Sequence, residues 1–353
     1  MSDMSGNDVL DEGLARLAAT GPEYRGGLSN HGPMAAEALV RLARADAVED
    51  WLDGYLKRLD EPPRPADRIT DETWRDALGD YNRVADWEVY LRAQLAEEPW
   101  RDVLARWWPR LLPGVAAAAT HGVIRASHAA RSLAAADAVG AAAGQRRDEL
   151  ARGLAYWAAS YLELPGEPRT GGPLDLTAAL RGLPTAGPAP EQGLITEQLS
   201  TKLPATPGFG DAVAALRPPA DPAAGLRELA VTFSGVFLGY GRTRPISLLH
   251  AVTAPVAARS VLPLLPAGLA RPTYDALWQV GAALYAVYTP GVTPEPLPAD
   301  PAPSRDDVTE MAVAAGDEHA IKLTEACLRL HAETPDPVLL HAAARASALL
   351  GRG

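Results

Sequence analysis

Apolar residues recur every three or four positions along most of this chain, and almost nowhere do they alternate with polar residues. A repeat near 3.6 residues places apolar side chains on one face of an α-helix, whereas a half-buried strand needs a repeat of two. The stripe Ala35, Leu39 and Leu42 predicts a helix over 33–59, and the alanine-rich stretch 115–140 has high helix propensity. The sequence therefore predicts an all-α fold, arranged as a multi-helix array.

Proline and glycine divide this helical pattern into two halves. Residues 24–162 and residues 223–350 are each predicted to be a helical half. Between them, residues 163–222 are rich in proline and glycine and contain only short helical pieces, which predicts a linker or a lid. We expect residues 1–353 to form a single unit with this central excursion.

Charge and cysteine content exclude several classes of protein. The chain has 33 basic and 44 acidic residues and a net charge of -11, which disfavours binding to nucleic acid. Cys327 is the only cysteine, which excludes an internal disulfide framework and a cysteine-ligated zinc or iron–sulfur cluster. The first residues lack the basic and apolar regions of a signal peptide, so we expect a cytoplasmic protein without membrane attachment.

Five tryptophans fall at helical spacing in the first half of the chain. They are Trp74, Trp87, Trp100, Trp107 and Trp108. Aromatic residues at this spacing usually fill a core, and core packing is the interpretation that we favour. A few of them could instead line a pocket for a flat aromatic ligand.

Five histidines lie in apolar or glycine-flanked segments rather than on charged faces. They are His31, His121, His128, His250 and His319. His121 and His128 are two helical turns apart on one face, and Lys322 follows His319 by three residues. A lone histidine on an apolar helix is usually a hydrogen-bonded core residue. Several neutral imidazoles collected in an apolar interior, however, have the composition of a metal site.

Several short motifs around these residues, in the expected order, resemble the questin oxidase-like family. The matching strings are Gly27–Met34 (GLSNHGPM), Pro99-Trp100, Trp107–Leu111, Thr120–Arg125 and Asp317–Lys322. The resemblance extends from about residue 24 to about residue 346. The central excursion carries none of the motifs.

This resemblance implies an all-helical oxygenase that acts on polycyclic aromatic polyketides, typically anthraquinones. The reaction that it implies is oxidative ring cleavage, formally a Baeyer–Villiger or dioxygenase-type C–C scission. It also implies a mononuclear non-haem Fe(II) held by four histidines and a carboxylated lysine, with dioxygen as co-substrate. The implied partner is therefore a flat aromatic polyketide, and the sequence does not indicate an oligomeric state.

Carried onto this chain, the resemblance makes Lys322 the modified lysine and leaves five histidines for four positions. His31, His121, His128 and His250 rank as the ligands. His319, beside the lysine on its helix, is either the fourth ligand or a catalytic group acting next to it. Four neutral imidazoles and one anionic carbamate leave one octahedral position open for dioxygen or a substrate oxygen. The ligand types alone would also admit zinc, copper or nickel.

Two alternative functions differ in what they require. A metal-free, NADPH-dependent monooxygenase needs a site for the nucleotide, and the chain has no glycine-rich dinucleotide motif after a strand. NADPH thus stays possible without a recognisable motif, and a hydroquinone-like substrate could itself supply electrons. A non-catalytic carrier of a hydrophobic polyketide needs a pocket but no histidine cluster.

Overall fold

The computed structural model describes residues 6–190 and 192–351 and confirms the all-α, multi-helix fold. The helices are α1 (Gly6–Leu17), α2 (Gly32–Arg41), α3 (Val48–Leu56), α4 (Val84–Glu97), α5 (Trp100–Leu111), α6 (His121–Ala138), α7 (Gly144–Ala159), α8 (Leu176–Arg181), α9 (Ile195–Lys202), α10 (Phe209–Ala214), α11 (Pro222–Tyr240), α12 (Pro245–Val261), α13 (Ala270–Tyr288), α14 (Arg305–Ala315), α15 (Glu318–Glu333) and α16 (Pro337–Leu350). Two strands, β1 (Glu23–Tyr24) and β2 (Leu28–Ser29), complete the regular structure of the described residues.

The two strands form a small antiparallel hairpin that the sequence does not predict. Each strand is two residues long, which is too short to leave a visible alternation of apolar and polar residues. The turn between them has positive φ at Arg25, Gly26 and Gly27. The hairpin ends just before His31, so it sets the path of the chain into α2.

Four helices surround the centre of the molecule. In sequence order they are α2, α6, α12 and α15, and each packs against two of the others, closing a ring α2–α6–α12–α15. The stretch Pro245–Leu264, which includes α12, is long and apolar enough to cross a membrane by length and composition. Most of it is buried inside the protein, as expected for a central helix of a large helical core.

The tryptophans of α4 and α5 pack in the core, as predicted. Trp87, Trp107 and Trp108 are completely buried. Trp107 meets Trp87 edge to face with 5.4 Å between ring centroids, and it meets Trp74 at 5.2 Å. Edge-to-face contacts of this kind are the favoured geometry of packed aromatic rings.

The predicted helix over 33–59 is wrong as a continuous element. α2 ends at Arg41 and α3 begins at Val48, and between them Ala43 has a φ of 59°. The break lets the apolar faces of both helices pack on α1 in one cluster. Residues 42–47 contain no glycine or proline that would indicate a break. The helical spacing of apolar residues therefore continues across a bend that tertiary packing requires.

The central excursion contains the short helices α8, α9 and α10 and contributes to the core. Leu199, Phe209 and Val213 are buried in the same apolar cluster as side chains from both helical halves. α9 contacts α13 and the segment 117–120 that precedes α6. The segment is therefore packed onto the array, and its opening as a lid stays a prediction.

Candidate metal centre

Four histidine rings, one from each helix of the central ring, meet in the interior. His31 is the N-cap of α2, His121 is the first residue of α6, His250 lies within α12, and His319 is in the first turn of α15. The Nε2 atom of His121 is 2.7 Å from Nε2 of His31 and 3.2 Å from Nε2 of His250. The ring of His319 is 4.4 Å from that of His31 between centroids. The structure thus brings the rings of His31, His121 and His250 together, and their binding of one metal ion stays a prediction.

His128 is placed elsewhere, which corrects its ranking as a ligand. Seven residues of helix separate it from His121, a rise of about 10 Å, so the two rings share a face but cannot reach one ion. The Nδ1 atom of His128 lies 2.9 Å from a carboxylate oxygen of Glu37. His319, which ranked lower, takes the fourth position in the group.

The spacing of the ring nitrogens fits a bound transition metal. Two imidazole nitrogens bound at about 2.1 Å and at right angles are about 3.0 Å apart. The observed separations around His121, 2.7 Å and 3.2 Å, fall on either side of that value. The nitrogen atoms of His31, His121 and His319 form a buried group compact enough to hold one ion. Neutral imidazoles of this kind suit zinc, copper, iron or nickel.

A left-handed turn immediately before α6 fixes the orientation of His121. Ala118, Ala119 and Thr120 have φ values of 45°, 57° and 73°, so the prediction of a continuous helix over 115–140 is wrong at its start. The turn places the carbonyl of Ala118 at 2.5 Å from Nδ1 of His121. A proton on Nδ1 that is donated to this carbonyl leaves the Nε2 lone pair directed at the other rings.

We expect Ala119→Gly to stabilise the protein by about 0.5–1 kcal/mol, because glycine adopts positive φ without the steric cost that alanine carries. The free energy of unfolding in urea measures this effect. Ala116, whose φ is -72°, is the matched control. Ala116→Gly relieves no strain and should destabilise the protein, so a loss of stability in both variants would contradict the proposed strain.

Lys322 places a buried amine near enough to these rings that its charge lowers the pKa values of His31, His121 and His250. The residue is 1% exposed, and its Nζ atom has no hydrogen-bond partner among the described residues. Burial lowers the pKa of Lys322 from 10.5 to about 7, although the acidic side chains of Glu318 and Asp317 oppose the shift. The amine is therefore substantially uncharged near neutral pH, and an uncharged amine retains its nucleophilic lone pair.

Further polar groups around His31 were not found from the sequence. The hydroxyl of Tyr55 accepts a hydrogen bond of 2.7 Å from the backbone N–H of His31. A carboxylate oxygen of Glu318 lies 4.0 Å from Nδ1 of His31, and Arg58 reaches the other oxygen at 3.3 Å. Glu318 could have been suspected from its place beside His319, whereas nothing near Tyr55 in the sequence distinguishes it.

Four buried histidines have pKa values below the ordinary histidine value: His31, His121, His250 and His128. Burial is the largest cause for His31, His121 and His250, and the nearby Lys322 and neighbouring histidines lower their pKa values further. Burial and the charge of Arg131 lower the pKa of His128 to about 4. All four rings are therefore neutral at pH 7, as a metal-binding imidazole must be.

These shifts predict that metal-free protein loses stability as the pH falls below 6.5, the ordinary histidine value. Below that pH the unfolded chain binds protons that the native rings do not, so the native state is disfavoured. Each ring contributes a slope of up to about 1.4 kcal/mol per pH unit. Urea unfolding of chelator-treated protein between pH 5 and 8 checks this, and a flat profile across that range would contradict it.

Comparison with protein-family models and with curated proteins returned no match for this chain.

Proposed function

We propose that His31, His121, His250, His319 and Lys322 hold one divalent transition metal, and that the chain is a metal-dependent oxygenase. The observation that carries this proposal is the convergence of three imidazole Nε2 atoms near the buried amine of Lys322, which has no hydrogen-bond partner among the described residues. A carrier protein or a metal-free monooxygenase requires no such group. The resemblance to the questin oxidase-like family supports iron as the metal and a flat aromatic polyketide as the substrate.

Lys322 supplies the anionic ligand in this proposal. Its neutral Nζ adds to the carbon of carbon dioxide, forming an N–C bond while one C–O π bond opens. The nitrogen then transfers a proton to solvent water, which leaves a carbamate with one negative charge. The lowered pKa of Lys322 favours the neutral amine that this addition needs.

The remaining residues orient the ligands. His121 donates from Nδ1 to the carbonyl of Ala118 and so presents Nε2. Glu318 lies on the Nδ1 side of His31, and its carboxylate favours a proton there. A ferrous ion held by these four imidazoles and the carbamate would supply activation of dioxygen.

The substrate reaction that we propose is oxidative ring cleavage of a polyketide quinone or its hydroquinone. The hydroquinone form supplies electrons to dioxygen without a separate nucleotide cofactor.

Dioxygen uptake with defined metals tests this function. Chelator-treated protein is loaded anaerobically with ferrous iron or with zinc, and then mixed with oxygenated buffer and a hydroxylated anthraquinone in its reduced form. We expect uptake above the substrate's own autoxidation, together with a ring-opened product, only with iron. Equal turnover by the metal-free or zinc-loaded protein would contradict the proposal, and substrate binding without uptake would favour a carrier.

A further inference from the structure

A second cluster of charged side chains is buried among the helices that carry the histidines. It joins Glu37 of α2, Arg131 of α6 and Glu325 of α15, all of them less than one-tenth exposed. Arg131 donates from Nε to Glu37 at 2.9 Å and from Nη1 to both oxygens of Glu325 at 3.1 Å and 3.2 Å. Its Nη2 also contacts Glu37. One guanidinium thus connects three helices.

Each residue of this ion network shares a helix with a residue of the candidate metal centre. Glu325 follows Lys322 by three residues, so both lie on one face of α15. Glu37 lies six residues after His31, and Arg131 lies ten residues after His121 on α6. Because a helix moves as a rigid element over such distances, the network and the centre must shift together.

The geometry points to a positioning role for Glu37, Arg131 and Glu325: they fix α2, α6 and α15 relative to one another so that the histidines and Lys322 converge. This inference rests on the proposed metal centre. A buried ion network does not by itself imply greater stability, because well-packed apolar residues in the same place often stabilise the fold as much. The hydrogen bonds of the network are directional, however, so they oppose sliding of one helix along another more strongly than apolar contacts do.

The surrounding contacts leave little freedom in the network. Glu37 also contacts His128 at 2.9 Å and accepts from Nε of Arg41 at 3.1 Å. Glu325 is reached by Nε of Arg329 at 3.1 Å. Both carboxylates are therefore held from two sides.

A second buried ion pair provides a matched control. Arg125 of α6 donates to Glu149 of α7 at 2.5 Å and 2.9 Å, and both residues are buried. Glu149 belongs to a helix that carries none of the four histidines or Lys322. The variants Glu325→Gln and Glu149→Gln make the same chemical change opposite an arginine of the same helix.

Cobalt binding distinguishes positioning from general stability. We measure the Co(II) dissociation constant by chelator competition, the visible absorption of bound Co(II), and the urea midpoint of each variant. Glu325→Gln should weaken cobalt binding about 10- to 100-fold, the range seen when residues that support metal ligands are changed, and it should shift the absorption. Glu149→Gln should lower the urea midpoint by a similar amount, but it should keep the cobalt affinity and the Co(II) absorption of the parent.

Two further variants test the same ion network at its other residues. Arg131→Lys retains the charge but cannot bridge both carboxylates, and it should also lose affinity. Should Glu325→Gln fail to fold, Glu37→Gln takes its place. Equal effects of the network and control variants, or an unchanged affinity and spectrum in Glu325→Gln, would overturn the positioning role. A parent protein that binds no cobalt would refute the metal centre and this role with it.

Discussion

Replacement of His121 by alanine is expected to remove the metal from the protein and to abolish turnover. His121 is the ring whose Nε2 contacts the Nε2 atoms of both His31 and His250, so its loss leaves the other proposed ligands without their shared neighbour. The loss of metal affinity should be larger than the loss of about 10- to 100-fold that follows when a residue supporting a metal ligand is replaced. Metal analysis of the purified variant and a chelator-competition titration measure it.

His331 provides the control for this experiment. It lies on α15, like His319, but its ring Nδ1 accepts from the backbone N–H of Asp336 at 3.1 Å, away from the four converging rings. His331→Ala should retain the metal content and turnover of the parent. Full metal content in His121→Ala would show that the histidine group does not hold the ion.

Replacement of Lys322 by methionine is expected to have two opposite effects. It should remove the metal, because methionine cannot form the carbamate. It should also stabilise the metal-free protein by about 1–3 kcal/mol. The reason is that an apolar side chain of similar length replaces a buried amine with no hydrogen-bond partner in residues 6–190 and 192–351. Metal analysis measures the first effect, and urea unfolding of the chelator-treated protein measures the second.

Lys322→Arg separates the carbamate from a simple need for positive charge. A guanidinium does not add carbon dioxide, so this variant should also lack metal. Removal of carbon dioxide from the parent before metal loading should weaken binding, and bicarbonate should restore it. If Lys322 only formed an ion pair with Glu318, Lys322→Met would bind metal like the parent and would lose stability.

Much of the fold follows from the helical spacing of apolar residues, and the exceptions have a physical reason. The break at Ala43 and the left-handed turn at Ala118, Ala119 and Thr120 occur in segments rich in alanine, the residue with the highest helix propensity. In both places tertiary contacts override local preference. The second exception is also functional in our proposal, because the turn creates the hydrogen bond that orients His121.

The sequence predicts which types of residue form the candidate site, but it does not identify which of the five histidines lie together. Apolar surroundings single out all five candidate histidines, and the resemblance adds Lys322. The choice between His128 and His319 depends on Glu37, which is 91 residues before His128 in the sequence. That pairing is a contact between α2 and α6, and a single sequence carries no signal of it.

The most direct test of the metal centre is an anomalous diffraction map, recorded at the iron absorption edge from crystals of iron-loaded protein. We predict one peak at about 2.0–2.2 Å from a ring nitrogen of each of His31, His121, His250 and His319. Electron density should continue from Nζ of Lys322 through a carboxylate to that peak. An iron-loaded crystal with no peak among these rings would contradict the account, as would a peak there beside an unmodified lysine.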